Sequence, residues 1–293
     1  MDESLSEWLR LRATADWAAR SGTLVRRVVD AIGPADPVHV LDLCTGTGSN
    51  LRYLIERLPS RQRWMVVDRD PALLREVPKG LSSWAQERGL RMHTDSDGCH
   101  VRGDRLECDV ETRQMNLDTL DEAIFEGQHL VTASALLDLV SESWLDTLAT
   151  RCRSVGASAL FALTYTGGSS CEPSDPADAL VRGLFNRHQK TDKGLGGPAA
   201  GPDAWAAAER SFVEAGYVVE SAPSDWTLRP DERAFQRRLI EGWAEAATEI
   251  APGHATTIDE WRHRRLEHVD AGRSRIAVCH YDMAAWLGRW VAR

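Results

Sequence analysis

Short apolar runs alternate with amphipathic segments along most of the chain. Between the runs, apolar residues recur every three or four positions, which is the period of a helix with one buried face. The runs occupy residues 38–43, 64–67, 130–133 and 157–166, and further strands are predicted at 217–221 and 274–281. Strands that alternate with helices predict an α/β fold with a mostly parallel sheet and helices on both of its faces.

Two segments differ from this alternation. Residues 5–32 carry apolar residues at helix spacing up to a glycine-proline pair, which predicts an N-terminal helical segment. Residues 106–111 alternate between apolar and acidic side chains, as in a half-buried strand. The Gly103-Asp104 pair before them is a turn signal. We therefore expect a hairpin inserted near the third strand of the sheet.

Two insertions interrupt the second half of the chain. Residues 167–202 follow the fifth strand and end in a glycine- and proline-rich stretch, which is typical of a mobile lid. Residues 228–270, between the last two strands, have helical patterning. Ligands of parallel sheets bind beyond the carboxyl ends of the strands. We expect both insertions and the N-terminal helical segment to roof a site at that edge.

The first apolar run leads into a turn with two glycines. Asp42 lies near the end of the run, Gly46 and Gly48 form the turn, and Asp68 ends the second run. A dinucleotide-binding turn has a third glycine, where this chain has Leu51, so a bound pyrophosphate is disfavoured. The acids suit a ligand that has a ribose diol and a cationic group but no phosphate. S-adenosylmethionine is such a ligand.

Three segments of the chain resemble motifs of the class I S-adenosylmethionine-dependent methyltransferases. Residues 41–48 (Leu-Asp-Leu-Cys-Thr-Gly-Thr-Gly) resemble the first motif, 66–68 the second and 130–138 the fourth. Cys44 stands where the first motif has its first glycine. The resemblance covers residues 37–166 best. It implies a Rossmann-like seven-stranded sheet whose last strand is antiparallel, and a methyltransferase of the bacterial small-molecule type.

The resemblance also implies cofactor-binding positions. Asp42 and the backbone of residues 44–46 would bind the methionine part, Asp68 the ribose and residues 116–118 the adenine. Arg20 is either a surface partner of Asp16, one helical turn earlier, or a ligand of the methionine carboxylate. The full expected set is Arg20, Asp42, Cys44, Thr45, Gly46, Asn50, Asp68, Arg69, Asn116, Leu117, Asp118, Ser134 and Ala135, with the last two beneath the sulfonium.

Methyl transfer to an oxygen or nitrogen acceptor needs alignment and a base that removes a proton. Asp138 follows strand four, and it is expected to be either this base or a charge at a helix start. His188 lies next to the predicted lid, and it is either a second base or a histidine on the helix surface.

The remaining candidates concern the acceptor. We expect the substrate-binding residues Tyr165, Asp192, Asp225 and Trp226 on the same rim. Trp226 could hold a cationic or aromatic substrate, although most of the tryptophans are expected in the core. His280, in the last predicted strand, is expected to be a core or edge histidine with its hydrogen bonds satisfied.

Composition narrows the class of partner. The net charge of −9 disfavours a nucleic-acid partner, because neutralising phosphates needs a basic face. The six cysteines contain no C-x-x-C pair, so no metal site is expected. No apolar run approaches a membrane span, and the first residues lack the apolar core of a secretory signal. We expect a cytoplasmic monomer or homodimer that acts on a small molecule, without a nucleic-acid or membrane partner.

The chain shows no internal repeat and no clear linker, which predicts a single methyltransferase domain over residues 1–293. Its expected parts are a helical cap (1–36), a cofactor-binding core (37–166), the lid insertion (167–202) and the C-terminal part of the core (203–293), which carries the helical insertion 228–270. Two alternatives stay open. One is a methyltransferase that acts on RNA or protein, and the other is a non-catalytic protein that binds S-adenosylmethionine.

Overall fold

A mixed sheet with a parallel centre forms the middle of the computed structural model, which describes residues 3–288. Its strands are β1 (Val38–Leu43), β2 (Arg61–Asp68), β3 (Arg91–Asp95), β4 (Gly98–Gly103), β5 (Leu106–Gln114), β6 (Leu130–Ser134), β7 (Ser158–Glu172), β8 (Tyr217–Pro223), β9 (Trp226–Leu228) and β10 (Arg275–Leu287). Their order is β3-β4-β5-β2-β1-β6-β7-β10-β8, with β9 also paired to β10. The strands from β5 to β7 are parallel, and β10 is antiparallel to its neighbours. This topology confirms the predicted fold class. The ends of the predicted domain, residues 1–2 and 289–293, lie outside the described residues.

The sheet has ten strands in the described part of the chain, whereas the sequence predicted seven. One additional strand, β4, is the expected hairpin partner of residues 106–111. β3 was not predicted, because it lies at the edge of the sheet and its residues are mostly exposed and polar. β9 was not predicted either, because it is three residues long and is formed only by pairing with β10.

Helices cover both faces of the sheet. They are α1 (Glu3–Ala19), α2 (Gly22–Ile32), α3 (Ser49–Ile55), α4 (Pro71–Glu87), α5 (Glu142–Val155), α6 (Asp178–Gln189), α7 (Ala204–Glu214), α8 (Arg233–Ile250) and α9 (Ala255–Asp270). Alternate residues of β1 point to opposite faces: Val40 packs with α2, α3 and α4, whereas Leu41 packs with α5 and α7. None of the helices within residues 3–288 combines the length and the apolar character needed to cross a bilayer.

The fifth strand of the parallel set is longer than predicted. The sequence placed it at residues 157–166, whereas β7 continues to Glu172 because β10 stays paired with it up to that residue, opposite Arg275. The two strands lose register where Asp282 of β10 lies opposite both Ala162 and Leu163. Leu163 adopts a φ of 58° at this bulge. β7 thus includes the first residues of the predicted lid insertion.

The predicted N-terminal helical segment consists of two helices. α1 ends at Ala19, and α2 begins after Ser21, whose hydroxyl accepts a hydrogen bond from the N–H of Leu24 at 3.4 Å. The N–H of Ser21 donates to Asp282 at 2.8 Å. Arg20 therefore lies at the corner between the helices, with its position fixed by the last strand of the sheet.

The predicted helical insertion 228–270 forms α8 and α9, which pack on α6. The side chain of Asp178, at the start of α6, accepts hydrogen bonds from Trp261 at 2.8 Å and from Arg265 at 3.0 Å, both on α9. The side chain of Arg265 is completely buried. These contacts hold the insertion as a fixed layer beyond β7, β9 and β10.

Replacement of Asp282 tests the link between the N-terminal helices and the sheet. Its two carboxylate oxygens accept the N–H groups of Ser21 and Leu163 at 2.8 and 2.9 Å. Asp282→Ala leaves both donors without an acceptor, so we expect the free energy of unfolding to fall by about 2–4 kcal/mol in urea denaturation. The matched control is Glu220→Ala, which removes an exposed pair with Arg27 and should change it by less than about 0.5 kcal/mol. Equal effects of the two changes would contradict this role.

Candidate active site

The turn between β1 and α3 has left-handed backbone conformations at three positions. Gly46 and Gly48 have φ values of 56° and 76°, which glycine adopts without strain. Cys44 has a φ of 50°, which lies in the left-handed region that glycine adopts most easily. This conformation accounts for the glycine that the motif has at this position. The N–H of Thr45 donates to the carbonyl of Val67 at 3.0 Å. The turn is thereby attached to the end of β2.

The carboxylate of Asp42 lies completely buried beneath this turn. It accepts hydrogen bonds from the hydroxyl of Thr45 and from Nδ2 of Asn50, each at 2.6 Å. Burial raises the pKa of Asp42 to about 6, while these two bonds and the charge of Arg20 favour the ionised form. A negative charge under the turn favours a cation above it.

Arg20 reaches the same buried network from the corner between α1 and α2. Its Nη1 donates to Oδ1 of Asn50 at 2.6 Å, and Asn50 also donates to the hydroxyl of Thr132 at 3.1 Å. The guanidinium lies 4.0 Å from the centre of the Tyr53 ring. Its Nε is buried without a hydrogen-bond partner. Arg20 is therefore a buried member of this network and not a surface residue.

Asp68 ends β2 beside the turn and is almost completely buried. Its Oδ2 accepts the N–H of Gly46 at 2.8 Å, and its Oδ1 accepts the N–H of Asp70 at 3.0 Å. A carboxylate oxygen has two acceptor positions, so one remains on each oxygen. The neighbouring Arg69 is exposed, and its carbonyl accepts a hydrogen bond from Gln114 at 3.3 Å.

The segment expected near adenine lies next to Asp68. The N–H of Met115 donates to the carbonyl of Asp68 at 2.9 Å, which holds the end of β5 against the end of β2. Asn116 and Asp118 are exposed on either side of Leu117, which is buried in the core. The side chains of Asn116 and Asp118 are therefore accessible from the rim, whereas the carbonyl of Leu117 accepts a buried hydrogen bond from Nε1 of Trp144 at 2.6 Å.

Ser134 and Ala135 lie at the carboxyl end of β6. β6 is the parallel neighbour of β1, and Ala133 is in register with Leu43 just before the turn. Ala135 has a φ of 53°, and its N–H donates to the carbonyl of Ala162 at 2.8 Å. The structure thus brings these two residues to the same edge as the glycine turn.

Two elements cover this edge. A Cβ atom placed on Gly46 would lie 3.2 Å from Leu9, so α1 packs directly over the turn. A Cβ atom placed on Gly194 would lie 3.7 Å from the Arg69 guanidinium, so the predicted lid segment reaches the end of β2. Leu195 of this segment is buried in the core beside α5. The segment that sequence predicted as a mobile lid is thus anchored by an apolar side chain.

Asp138 lies buried behind Ala135, close to Tyr165 and Arg12. Burial raises the pKa of its carboxyl to about 6, although the N–H groups of Asp138 and Tyr165 and the charges of Arg12 and Lys193 favour ionisation. The Tyr165 hydroxyl donates to Asn186 of α6 at 2.8 Å. Burial and the charge of Asp138 both raise the pKa of Tyr165, which keeps its hydroxyl protonated.

Aromatic side chains form the wall beyond Asp138. The ring centres of Trp8 and Trp226 lie 6.2 Å apart, and each contacts Phe235 at 5.2 and 5.1 Å. His280 lies 4.5 Å from Trp226 and 6.0 Å from Tyr165. We call this set of packed side chains, together with the buried Arg12, Asp16 and Asp138, the rim chamber.

Several buried polar atoms of the rim chamber make no well-formed hydrogen bond, although the side chain of Trp226 still interacts with Asp16 and the backbone of Val278 with His280. They are Oδ1 of Asp16, Nε1 of Trp226 and Nδ1 of His280. Burial and the charge of Arg12 lower the pKa of His280 to about 3, so its imidazole is neutral. An unpaired buried polar atom costs about 1–3 kcal/mol, which a bound polar ligand would recover. His280 is buried, as expected of a core histidine, and its Nδ1 makes no hydrogen bond of ordinary geometry.

The buried partner of Asp16 is Arg12, and not Arg20 as the sequence indicated. Nε of Arg12 donates to Oδ2 of Asp16 at 2.8 Å, and both side chains are largely buried. Trp8 and Arg12 were not among the predicted site residues. The signal was present, because Trp8, Arg12 and Asp16 follow each other at four-residue spacing and form one stripe of α1. This stripe forms the α1 side of the rim chamber.

His188 lies farther out, at the end of α6. Its Nε2 is 3.1 Å from Glu249 of α8, and its Nδ1 is 3.5 Å from Nζ of Lys193. It lines a cleft of about 350 Å³ between α1, α6 and α8, next to Phe185. The ring of Phe185 contacts Tyr165 at 5.6 Å, so the cleft lies on the outer side of the rim chamber.

Two predicted substrate residues have local partners. Asp192 is exposed and accepts the N–H of Gly194 at 2.7 Å, which shapes the turn of the lid segment. Asp225 accepts the N–H of His280 at 2.9 Å, which holds β10 beside Trp226. The structure therefore brings Tyr165 and Trp226 into the rim chamber, whereas Asp192 and Asp225 support its surroundings.

Comparisons with known proteins are limited to overall architecture. No protein-family model and no curated protein matches the chain. Among solved structures, the cyclopropane synthase MmaA2 from Mycobacterium tuberculosis is 11% identical over 89% of this chain and 82% of its own, with a TM-score of 0.44. A Bacillus halodurans protein assigned as a methyltransferase is 15% identical over 89% and 97%, with a TM-score of 0.48. A geranyl diphosphate methyltransferase solved with S-adenosylmethionine is 12% identical over 98% and 92%, with a TM-score of 0.41. At these values the similarities carry no conclusion about activity.

Replacement of Asn50 tests the buried network under the turn. Asn50→Ala removes the acceptor of Arg20 and a donor to Asp42, and so leaves two buried charged groups with fewer partners. We expect the free energy of unfolding to fall by about 2–4 kcal/mol in denaturant titrations near neutral pH. Asn116→Ala is the control, because Asn116 is exposed and should change it by less than about 0.5 kcal/mol. A loss no larger than that of the control would refute the network.

Proposed function

We propose that the protein transfers a methyl group from S-adenosylmethionine to a small-molecule acceptor. One observation carries the proposal: Asp42 and Asp68 stand at the ends of adjacent parallel strands, on either side of a glycine turn whose N–H reaches Asp68. A nucleotide-binding protein would place a phosphate at this turn, whereas here the two carboxylates would repel it. They favour a ligand with a cation and a ribose diol, which is the chemistry of S-adenosylmethionine.

The groups around the turn suit the parts of this ligand. Asp68 keeps one acceptor position on each oxygen for the ribose hydroxyls. The unpartnered Nε of Arg20 is a donor for the methionine carboxylate, and buried Asp42 favours the cationic groups. In the proposal, residues 116–118 lie beside adenine, while Ser134 and Ala135 lie beneath the sulfonium. When bound, S-adenosylmethionine supplies an activated methyl group on sulfur.

The rim chamber is proposed as the acceptor site. Its polar atoms without a well-formed hydrogen bond are matched by a ligand that both donates and accepts hydrogen bonds, and its aromatic rings favour a compact ligand. Such a buried site suits a small molecule better than RNA or a protein. The covering by α1 also excludes water from the acceptor.

Asp138 is proposed as the base for an oxygen or nitrogen acceptor. A carboxyl with a pKa of about 6 is mostly ionised near neutral pH and still basic enough to take a proton. His188 is the second candidate, with Glu249 orienting its ring from the outer cleft. Asp138 is the favoured base because it lies inside the rim chamber, whereas His188 lies in the outer cleft. Tyr165 and Trp226 then orient the acceptor by their rings.

Isothermal titration calorimetry tests the cofactor. The wild-type chain should bind both S-adenosylmethionine and its demethylated product, S-adenosylhomocysteine, because both carry the ribose and the ammonium group. Asp68→Ala should weaken both by about 2–3 kcal/mol, since two hydrogen bonds to the ribose are lost. The control is Asp104→Ala, in the exposed hairpin turn before β5. Its affinity should equal that of the wild type.

Two outcomes of this titration count against the proposal. If the wild-type chain binds neither ligand, both the methyltransferase and the non-catalytic binding protein are excluded. If Asp68→Ala binds as tightly as wild type while circular dichroism shows an intact fold, the ribose role is excluded.

The pH dependence of binding tests Asp42. Its pKa of about 6 means that the carboxyl becomes neutral as the pH falls through 6, and the attraction for a cationic ligand is then lost. Affinity for S-adenosylmethionine should therefore fall below about pH 6, by up to tenfold per pH unit. Asp42→Asn should remove this dependence, whereas Asp138→Asn, at a carboxyl with a similar pKa, should keep it. A dependence that persists in Asp42→Asn assigns the titration to another group.

A further inference from the structure

The hairpin of β3 and β4 carries a cluster of histidine and carboxylate side chains at the edge of the sheet. His93 of β3 is in register with His100 of β4, which is in turn in register with Asp109 of β5. Residues opposite each other on neighbouring strands point to the same face. The three side chains therefore form a row across the strands, with Asp95 beside it, far from the glycine turn of β1.

The donor atoms of this row converge. Nε2 of His100 lies 3.0 Å from Oδ1 of Asp95, and Nε2 of His93 lies 3.9 Å from Oδ2 of the same carboxylate. The two imidazole rings are stacked with their centres 4.7 Å apart. One donor atom from each residue lies within 4.8 Å of the others. Donors around one zinc ion lie roughly 3–4 Å apart, because each bond is about 2.1 Å long.

A second layer of contacts orients the central histidine. Nδ1 of His100 lies 2.8 Å from Oδ1 of Asp109, and this carboxylate is also held by Nη2 of Arg102 at 2.5 Å. A carboxylate on Nδ1 fixes the tautomer and turns Nε2 toward Asp95. Carboxylate–histidine–metal arrangements have this order, and the outer carboxylate strengthens the ligand.

The turn of the hairpin holds Asp95 in place. Its Oδ1 accepts the N–H of Asp97 at 2.8 Å. The turn needs a glycine at Gly98, whose φ is 134° and where a Cβ atom would lie 2.2 Å from the carbonyl oxygen of Val110. The carboxylate is therefore positioned by the backbone before any ion binds, which lowers the entropy lost on coordination.

We propose that His93, Asp95 and His100 bind a divalent transition-metal ion such as Zn²⁺. Two imidazoles and a carboxylate are the borderline ligands that such ions prefer over Mg²⁺ or Ca²⁺, and three protein ligands leave a position for water. The ion joins β3 to β4 and so stabilises the edge of the sheet. The site is independent of the proposed methyl transfer. Cysteine spacing gave no sign of it, because its ligands meet only through strand pairing.

Calorimetric titration with Zn²⁺ alone tests this proposal, with Co²⁺ absorption as a second readout. The wild-type chain should bind Zn²⁺, and His93→Gln and His100→Gln should each weaken binding by at least about tenfold. Asp109→Asn should weaken it by about 10–100-fold, although Asp109 is not a ligand, because it orients His100. Zn²⁺ should also slow amide hydrogen exchange in β3 and β4.

His263→Gln is the matched control, because His263 is an exposed histidine on α9 that lies 3.3 Å from Asp259. Its Zn²⁺ affinity should equal that of the wild type. His93 is exposed, so His93→Gln stays informative even if His100→Gln disturbs the fold. Absence of wild-type binding, or equal affinity in His93→Gln and the wild type, would mean that the row is an ion-pair cluster only.

Discussion

The buried carboxylate of Asp42 is the constraint on which the site depends. A charge without solvent must be paired and hydrogen-bonded, and burial alone makes its ionised form expensive. Thr45 and Asn50 supply the hydrogen bonds, and Arg20 supplies the opposite charge through Asn50. Because Arg20 lies at the corner of the first two helices, satisfying one acid on β1 also fixes how those helices approach the sheet.

The first of these helices, α1, also positions residues of the rim chamber. α1 packs Leu9 on the glycine turn, and its stripe of Trp8, Arg12 and Asp16 forms one side of the rim chamber. The paired charges of this stripe lie among aromatic rings, where a low local dielectric strengthens each polar contact. Alignment of two reactants requires rigid walls, and a helix that is anchored at both the turn and the chamber provides one.

The parallel centre of the fold and the glycine turn could be predicted, because each depends on short continuous stretches of sequence. Continuous apolar runs mark buried strands, and the two glycines mark the turn that follows the first of them. The contacts that were missed depend on partners distant in the chain. β7 extends to Glu172 only because β10 pairs with it, and β9 forms only by pairing with β10. The surroundings of His280, whose Nδ1 makes no well-formed hydrogen bond, likewise follow from neighbours that no local pattern reveals.

The hydrogen bond between Ser21 and Asp282 joins positions 261 residues apart. During synthesis, the corner that carries Arg20 leaves the ribosome long before the strand that holds it. The parallel centre can pair earlier, but Arg20 is not held against Asn50 beneath the turn until β10 has inserted between β7 and β8. A nascent chain that stops short of β10 would therefore expose a half-built site to chaperones, and the ability to bind ligand would be acquired as one of the last events of folding.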